Sequence, residues 1–361
     1  MPKKSLSSLE LAAVINELQF LEKGKISQIY HPEKKELVLQ LHARGEGKHL
    51  LKIIPGKFLC LTKEKEITLR PSGFCMQLRK YLSNASIKYI TQKDSERIVV
   101  FELEKKETYF LIVELFSKGN IILTDEDYNI IGTLEQQTWK DRTVKAKEKY
   151  IFPASGFNWK EMAEKELASL LKKSEKRNLA TSLATELGLG GLYAEEVCKI
   201  GNIDFKKLPT EAEAEEVKMI VRFIKDLLSK IEKPAGYIYD EQITPFPLID
   251  QKVVKKTETY NEAVNTMQPF EKTSPYEKKI AALKRTISGQ EEAVKSLEKK
   301  IELNKKKGEL IYEKYASLQK LLDIVKKLRE SKGWEEIATE LKKEKKIKSV
   351  NLKKKEILVD L

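Results

Sequence analysis

The sequence predicts an α+β protein in three zones: an antiparallel β domain with helices, a helical domain, and a long coiled-coil arm with a small tip. Three observations predict it. After Gly24, apolar residues recur with period two in a series of short runs. From about residue 158 to 231 the period becomes helical, in segments interrupted by glycine. Beyond Ser274-Pro275, apolar residues fall at alternating three- and four-residue steps for more than six heptads, the pattern of a coiled coil.

The elements follow in order. Ser8 to Leu18 has apolar residues at helical spacing, with Ser7 or Ser8 as its cap. Ile26–Tyr30, Glu36–Leu41 and His49–Ile54 read as a meander of strands. Phe74 to Leu82 is helical, and Arg97–Leu103, Tyr109–Leu115 and Asn120–Thr124 are three more strands. Residues 234–247 form an ordered, aromatic connection, and a short helix starts near Asn261. In the third zone Ile280, Leu283, Ile287, Val294, Leu297 and Ile301 open the seam, which Gln290, Asn304 and Gly308 break. Gly308, after three lysines, predicts a local kink or break. Trp334-Glu335-Glu336-Ile337 resumes the helix, and residues 348–352 and 356–361 read as a hairpin. Domains are expected at 1–155, 156–268 and 269–361.

Composition narrows the function classes. The 361 residues hold 68 Lys+Arg against 55 Asp+Glu, a net charge of +13, which favours a polyanionic partner. Residues 271–361 carry 25 basic against 16 acidic side chains, so an excess of nine rides on the arm. The clusters Lys342, Lys343, Lys345, Lys346 and Lys353, Lys354, Lys355 suit backbone phosphates; a solvated helix exterior is the plainer reading. No apolar run reaches bilayer length and no signal peptide is evident, so no membrane partner is expected. Three scattered cysteines and three histidines disfavour a disulfide framework and a zinc site, and point to a reducing cytoplasm. Neither a phosphate-binding loop nor a nucleophile elbow is present, and no catalytic residue, metal or cofactor is expected.

Three short segments carry binding chemistry. Leu187-Gly188-Leu189-Gly190-Gly191-Leu192 ends one helix and begins another, in a helix-hairpin-helix arrangement. Its glycines Gly188, Gly190 and Gly191 could bring backbone N–H groups to a phosphate, or merely pack an αα-corner. Arg79 and Lys80 stand on the polar side of the Phe74–Leu82 helix, a guanidinium fork beside a point charge. Glu96-Arg97 opens a strand after Lys93-Asp94-Ser95; the pair either braces the loop or offers one acceptor and one bidentate donor to a partner.

Taken together, these segments resemble the NFACT family. The residues that carry the likeness are Ser8-Leu9-Glu10-Leu11, Phe74 to Leu82, Glu96-Arg97-Ile98-Val99, Leu111 to Asp125, Gly188 to Val197 and Gly308 to Glu313. The family comprises ribosome quality-control factors of the RqcH and NEMF type, also described as fibronectin-binding-protein-A-like, and the likeness is to its archaeal branch. The resemblance implies an N-terminal domain similar to that of formamidopyrimidine-DNA glycosylases. It implies binding to the large ribosomal subunit carrying stalled peptidyl-tRNA, engagement of peptidyl-tRNA, aminoacyl-tRNA and rRNA, and support of mRNA-independent tailing of the nascent chain. Such a factor binds and positions; the ribosome makes the peptide bond.

The family's Asp-Arg pair falls on Glu96-Arg97, where the acid is one methylene longer and its carboxylate is displaced by ~1.5 Å. Its Glu-Ile-Met motif falls on Glu114, Leu115 and Phe116, and Arg79 and Lys80 match its basic helix. Family members continue into a return helix and a further RNA-binding domain, which implies that this chain is an N-terminal fragment. The unpaired seam otherwise calls for a homodimer. A DNA glycosylase is a rival on the Met1-Pro2 start, although Lys3 replaces the acid such enzymes need. A surface adhesin is a third reading, against which the missing signal peptide counts.

Overall fold

A computed structural model of the chain describes residues 4–64, 71–139, 142–267, 275–341, 347–351 and 356–359. The chain folds as two compact units, Met1–Phe270 and Glu271–Leu361.

The first unit is built on a nine-stranded antiparallel sheet. Its strands are β1 (Lys25–Glu33), β2 (Glu36–Ala43), β3 (Gly47–Ile54), β4 (Phe58–Thr62), β5 (Ser86–Gln92), β6 (Ile98–Glu104), β7 (Thr108–Glu114), β8 (Asn120–Asp125) and β9 (Ile130–Thr133), in the order 4-3-2-1-5-6-7-8-9. Two meanders therefore meet where Lys25 of β1 lies opposite Ser86 of β5. Period-two alternation sends Val99, Phe101 and Leu103 into the main core, while Ile98 and Val100 join Ile112, Ile122, Ile130, Val144 and Tyr150 in a second cluster. Sequence reading missed β4, β5 and β9. β5 keeps a buried-exposed alternation only loosely, because a register shift between Ile87 and Tyr89 interrupts its pairing with β6.

Helix α1 (Ser8–Leu18) is buried almost all round and serves as the central strut. Ser7 caps it: its Oγ accepts from Glu10 N, and Glu10 Oε2 accepts from Ser7 N at 2.8 Å. Leu9, Leu11, Val14 and Leu18 have no accessible surface, and each contributes about 1.5–3 kcal/mol of burial. Helix α2 (Gly73–Leu82) is capped by Ser72 and buries Cys75, Leu78 and Leu82.

The same main core runs on into the helices that follow the short hairpin β10 (Gln137–Thr138) and β11 (Thr143–Val144). These are α3 (Glu164–Lys173), α4 (Leu179–Thr185), α5 (Gly191–Ile200) and α6 (Ala214–Lys230). A small sheet of β12 (Gly236–Ile238), β13 (Ile243–Thr244) and β14 (Lys255–Thr257) leads to α7 (Tyr260–Asn265). α1 ties these pieces together through polar side chains. Glu10 Oε1 accepts from Tyr193 Oη on α5 at 2.6 Å, and Asn16 Nδ2 donates to Ile231 O at 2.8 Å. Glu17 accepts from the N–H groups of Tyr260 and Asn261, each at 2.7 Å, and so holds the first turn of α7.

The second unit consists of α8 (Pro275–Glu313), α9 (Tyr315–Ser331), α10 (Trp334–Leu341) and a hairpin of β15 (Ile347–Asn351) and β16 (Glu356–Val359). The hairpin and the resumed helix lie where the sequence places them. A break at Gly308 is absent: α8 runs through it and is interrupted at Lys314. One helical glycine costs only about 1 kcal/mol, which a long hydrogen-bond ladder absorbs. Ile337, Leu341 and Ile347 form a small core against Leu321, Val325, Leu328 and Ile357. By contrast, the seam residues Leu283, Ile287, Val294, Leu297, Ile301, Ile311, Tyr315 and Leu322 are each at least half exposed.

Candidate functional site

The turn from β5 to β6 is fixed from below by α1. Ser8 is the centre of the arrangement: its Oγ donates to Ser95 O and accepts from Trp159 Nε1 at 3.1 Å. Gln92 Nε2 bridges Ser8 O at 3.0 Å and Glu96 O at 2.8 Å, and Ser95 Oγ donates to Phe157 O at 2.9 Å. Asp94 takes a left-handed backbone (φ 49°), which lets the chain reverse. Glu96 and Arg97 therefore sit in the turn, one residue ahead of the strand that the sequence assigns to Arg97. Leu115 N donates to Arg97 O at 2.8 Å and anchors the backbone, while the guanidinium makes a single long bond to Leu6 O, 3.4 Å from Nη1. Glu96 Oε1 accepts from Gly156 N at 3.1 Å.

This turn forms one wall of an open cleft of about 480 Å³. Opposite it stand Ala184 to Gly188 and Gly190, from the α4–α5 connection. Gly188 and Gly190 have φ of 80° and 86°, which a side chain would strain, and an added Cβ at Gly190 would lie 3.7 Å from Ser7 Cβ. Fold thus brings Glu96 and Arg97 together with two of the three glycines predicted from sequence.

Charge in the cleft is mixed. Burial lowers the Arg97 pKa against the pull of Glu96, without a second anion to satisfy its fork. Burial alone would raise the Glu186 carboxyl, yet the hydroxyls of Ser174 and Ser182 and the charge of Lys176 carry it below the ordinary range. Phe157 exposes 45% of its surface at the rim. The cleft offers two carboxylates, one guanidinium and an aromatic face.

The remaining predicted residues lie elsewhere. Arg79 donates through Nε and Nη2 to Ile29 O at 2.8 and 2.6 Å, so its fork braces β1; Lys80 is exposed, 5.3 Å from the Tyr81 ring centre. Glu114 is buried, with Oε1 accepting from Arg142 Nη2 at 2.8 Å and Tyr150 Oη at 2.9 Å. Leu115 is in the main core, and Phe116 lies 5.8 Å from the Arg142 guanidinium. Gly191 opens α5 with free space where a Cβ would stand. Lys342, Lys343, Lys345, Lys346, Lys353, Lys354 and Lys355 lie outside the described residues.

Sequence reading missed Phe157 and Glu186, which meet the predicted pair only through tertiary packing. Ser7 and Glu10 carried a readable signal, a Ser-x-x-Glu capping box. Among the described residues, no group of three His, Cys, Asp or Glu could hold a metal ion.

Comparison with known proteins gives the lineage. The fold is similar to the N-terminal part of the fibronectin/fibrinogen-binding protein from Streptococcus suis, with a TM-score of 0.60 and 23% identity over 72% of this chain and 98% of that one. In sequence the chain is 30% identical to the archaeal Rqc2 homolog aRqcH of Methanocaldococcus jannaschii, over 93% of this chain and 54% of that protein. It is 24% identical to the human ribosome quality control complex subunit NEMF, over 84% of this chain and 30% of that protein. The chain thus spans about half the length of the archaeal relative and under a third of the human one. Residues 7–320 match the model of the NFACT N-terminal and middle domains, and the chain belongs to the NFACT family.

Proposed function

We propose that this chain is the tRNA-engaging part of a cytoplasmic ribosome quality-control factor, which binds the large subunit carrying stalled peptidyl-tRNA and supports tailing of the nascent chain. The observation that carries this reading is the cleft that sets Glu96 and Arg97 against the Gly188–Gly190 turn. A volume near 480 Å³ admits a splayed-out nucleobase. A carboxylate and a guanidinium match the donors and acceptors of a base edge, and the exposed Phe157 ring can stack on its face. In this reading α4, the glycine turn and α5 act as a helix-hairpin-helix, and α8 and α9 form the coiled-coil arm that reaches rRNA. The names of the two sequence relatives, an Rqc2 homolog and a ribosome quality control complex subunit, point the same way. The chain positions tRNA and leaves peptide-bond formation to the ribosome.

Sedimentation through sucrose gradients tests the proposal. The chain should co-migrate with split large subunits that carry peptidyl-tRNA and much less with empty ones. Equal migration with both would overturn it.

A further inference from the structure

The cleft carries a chemical difficulty for an RNA ligand. Glu96 and Glu186 both line it, so a phosphate cannot follow a base inside without meeting two carboxylates. A strand bound there needs cations beside it, and the fold supplies them at the end of α3 and in the connection to α4.

Lys172, Lys173, Lys176 and Arg177 are four basic side chains within six residues, broken by Ser174 and Glu175. All four are exposed, and none forms an ion pair among the described residues. Lys172 and Lys173 close α3, where cations complement the C-terminal dipole. Lys176 and Arg177 lie beyond the helix, and the charge of Lys176 acts on Glu186. The segment is tied to the cleft wall. Ser174 is buried and donates from Oγ to Glu186 Oε2 at 2.5 Å; the same oxygen accepts from Ser182 Oγ of α4 at 2.6 Å. Ser174 Oγ also accepts from Lys176 N at 3.3 Å, which fixes the start of the turn. Glu186 is therefore both a lining residue of the cleft and the post to which the basic segment is tied.

We propose that Lys172, Lys173, Lys176 and Arg177 clamp the phosphodiester backbone of the RNA strand whose base enters the cleft, with Ser174 and Glu186 as positioning residues. The inference rests on the tRNA reading above and adds to it the surface that binds the backbone. Four exposed cations, two closing α3 and two on the loop after it, read charge without base sequence, whereas the cleft reads a base.

The test measures binding of the whole chain to a tRNA transcript by fluorescence anisotropy, from 50 to 300 mM KCl. Replacing all four residues by Gln should weaken binding roughly tenfold or more. It should also lower the slope of log K against log salt by about 2–3, at ~0.7 for each single-strand phosphate that is no longer neutralised. Ser174→Ala keeps every charge but frees the loop; it should lose several-fold in affinity with the slope unchanged. A control with Lys25, Lys48, Arg222 and Lys225 changed to Gln, all exposed and outside the cleft lining, should keep the wild-type slope. If the parent chain binds no tRNA, the proposed function and the clamp fall together. If it binds and the quadruple variant keeps affinity and slope, the clamp alone fails. Equal loss in the control would reduce the segment to part of a general field, and competition by polyglutamate as strong as by RNA would reassign it to an acidic peptide. An unchanged Ser174→Ala variant would remove the positioning role.

Discussion

Arg97 and Arg142 each stand beside a glutamate near the same pair of strands, for Ile98 lies opposite Glu114 in the register of β6 and β7. Their surroundings are opposite. Glu114 is fully enclosed, with Arg142 and Tyr150 both bonded to one of its oxygens, and Arg142 stacks 4.6 Å from the Trp139 ring centre. Glu96 and Arg97 face an open cleft, and Arg97 has one long hydrogen bond to the backbone. The family resemblance assigns both glutamates to tRNA engagement. The difference teaches that a closed charge pair holds a fold, whereas an arginine with spare donors in a cleft is available to a ligand.

Breaking the closed pair should have the largest effect. Glu114→Ala leaves Arg142 and the Tyr150 hydroxyl without their buried acceptor, and should cost about 3–5 kcal/mol in urea unfolding. A loss under ~1 kcal/mol would mean that the pair is not structural. The turn that follows Glu114 should be nearly as sensitive. Gly119 has φ of 69°, and a Cβ there would stand 1.9 Å from Gly56 N. Gly119→Ala should therefore destabilise by about 1–3 kcal/mol, seen as a lower urea midpoint with an unchanged slope.

Arg97→Ala sharpens the contrast from the other side. Stability should change by less than about 1 kcal/mol, since one weak hydrogen bond is lost, while tRNA affinity falls. Equal loss of fold and binding would make Arg97 a brace like Arg142.

A pH-dependent effect concerns Lys160, next to the cleft-lining Phe157 loop. Burial pushes its pKa down to about 8, against the pull of Asp94 and Glu161. The folded state then releases its proton before the unfolded state does, so stability should rise as pH increases from about 8 toward the ordinary lysine value near 10.4. Lys160→Met should flatten that part of the stability profile; an unaltered rise would place its cause elsewhere.

Much of the fold was legible because periodicity is local. Alternation marked six strands of the sheet, and a capping serine, Ser7 or Ser8, marked the start of α1. β5 escaped because its register shift blurs the alternation, and β4 and β9 because each is short. The expected break at Gly308 is absent since a single glycine costs a long helix only about 1 kcal/mol. Site residues divided in the same way. Glu96, Arg97, Gly188 and Gly190 were visible as motifs, whereas Phe157 and Glu186 were ordinary residues until the chain folded around them. The basic segment at 172–177 was visible as a charge run, but its excess was hidden by the larger one on the arm.

By itself the sequence determined the α+β class, the amphipathic faces, the glycine turn and the basic character of the chain, since each depends on neighbours a few residues apart. Tertiary structure alone decided which of two glutamates beside arginine would be sealed and which left open. Burial depends on what residues far along the chain place above a side chain. Arg142 comes from the β10–β11 hairpin and Tyr150 from the chain after it, and both close on Glu114, while Gly156 and Phe157 line the open cleft beside Arg97.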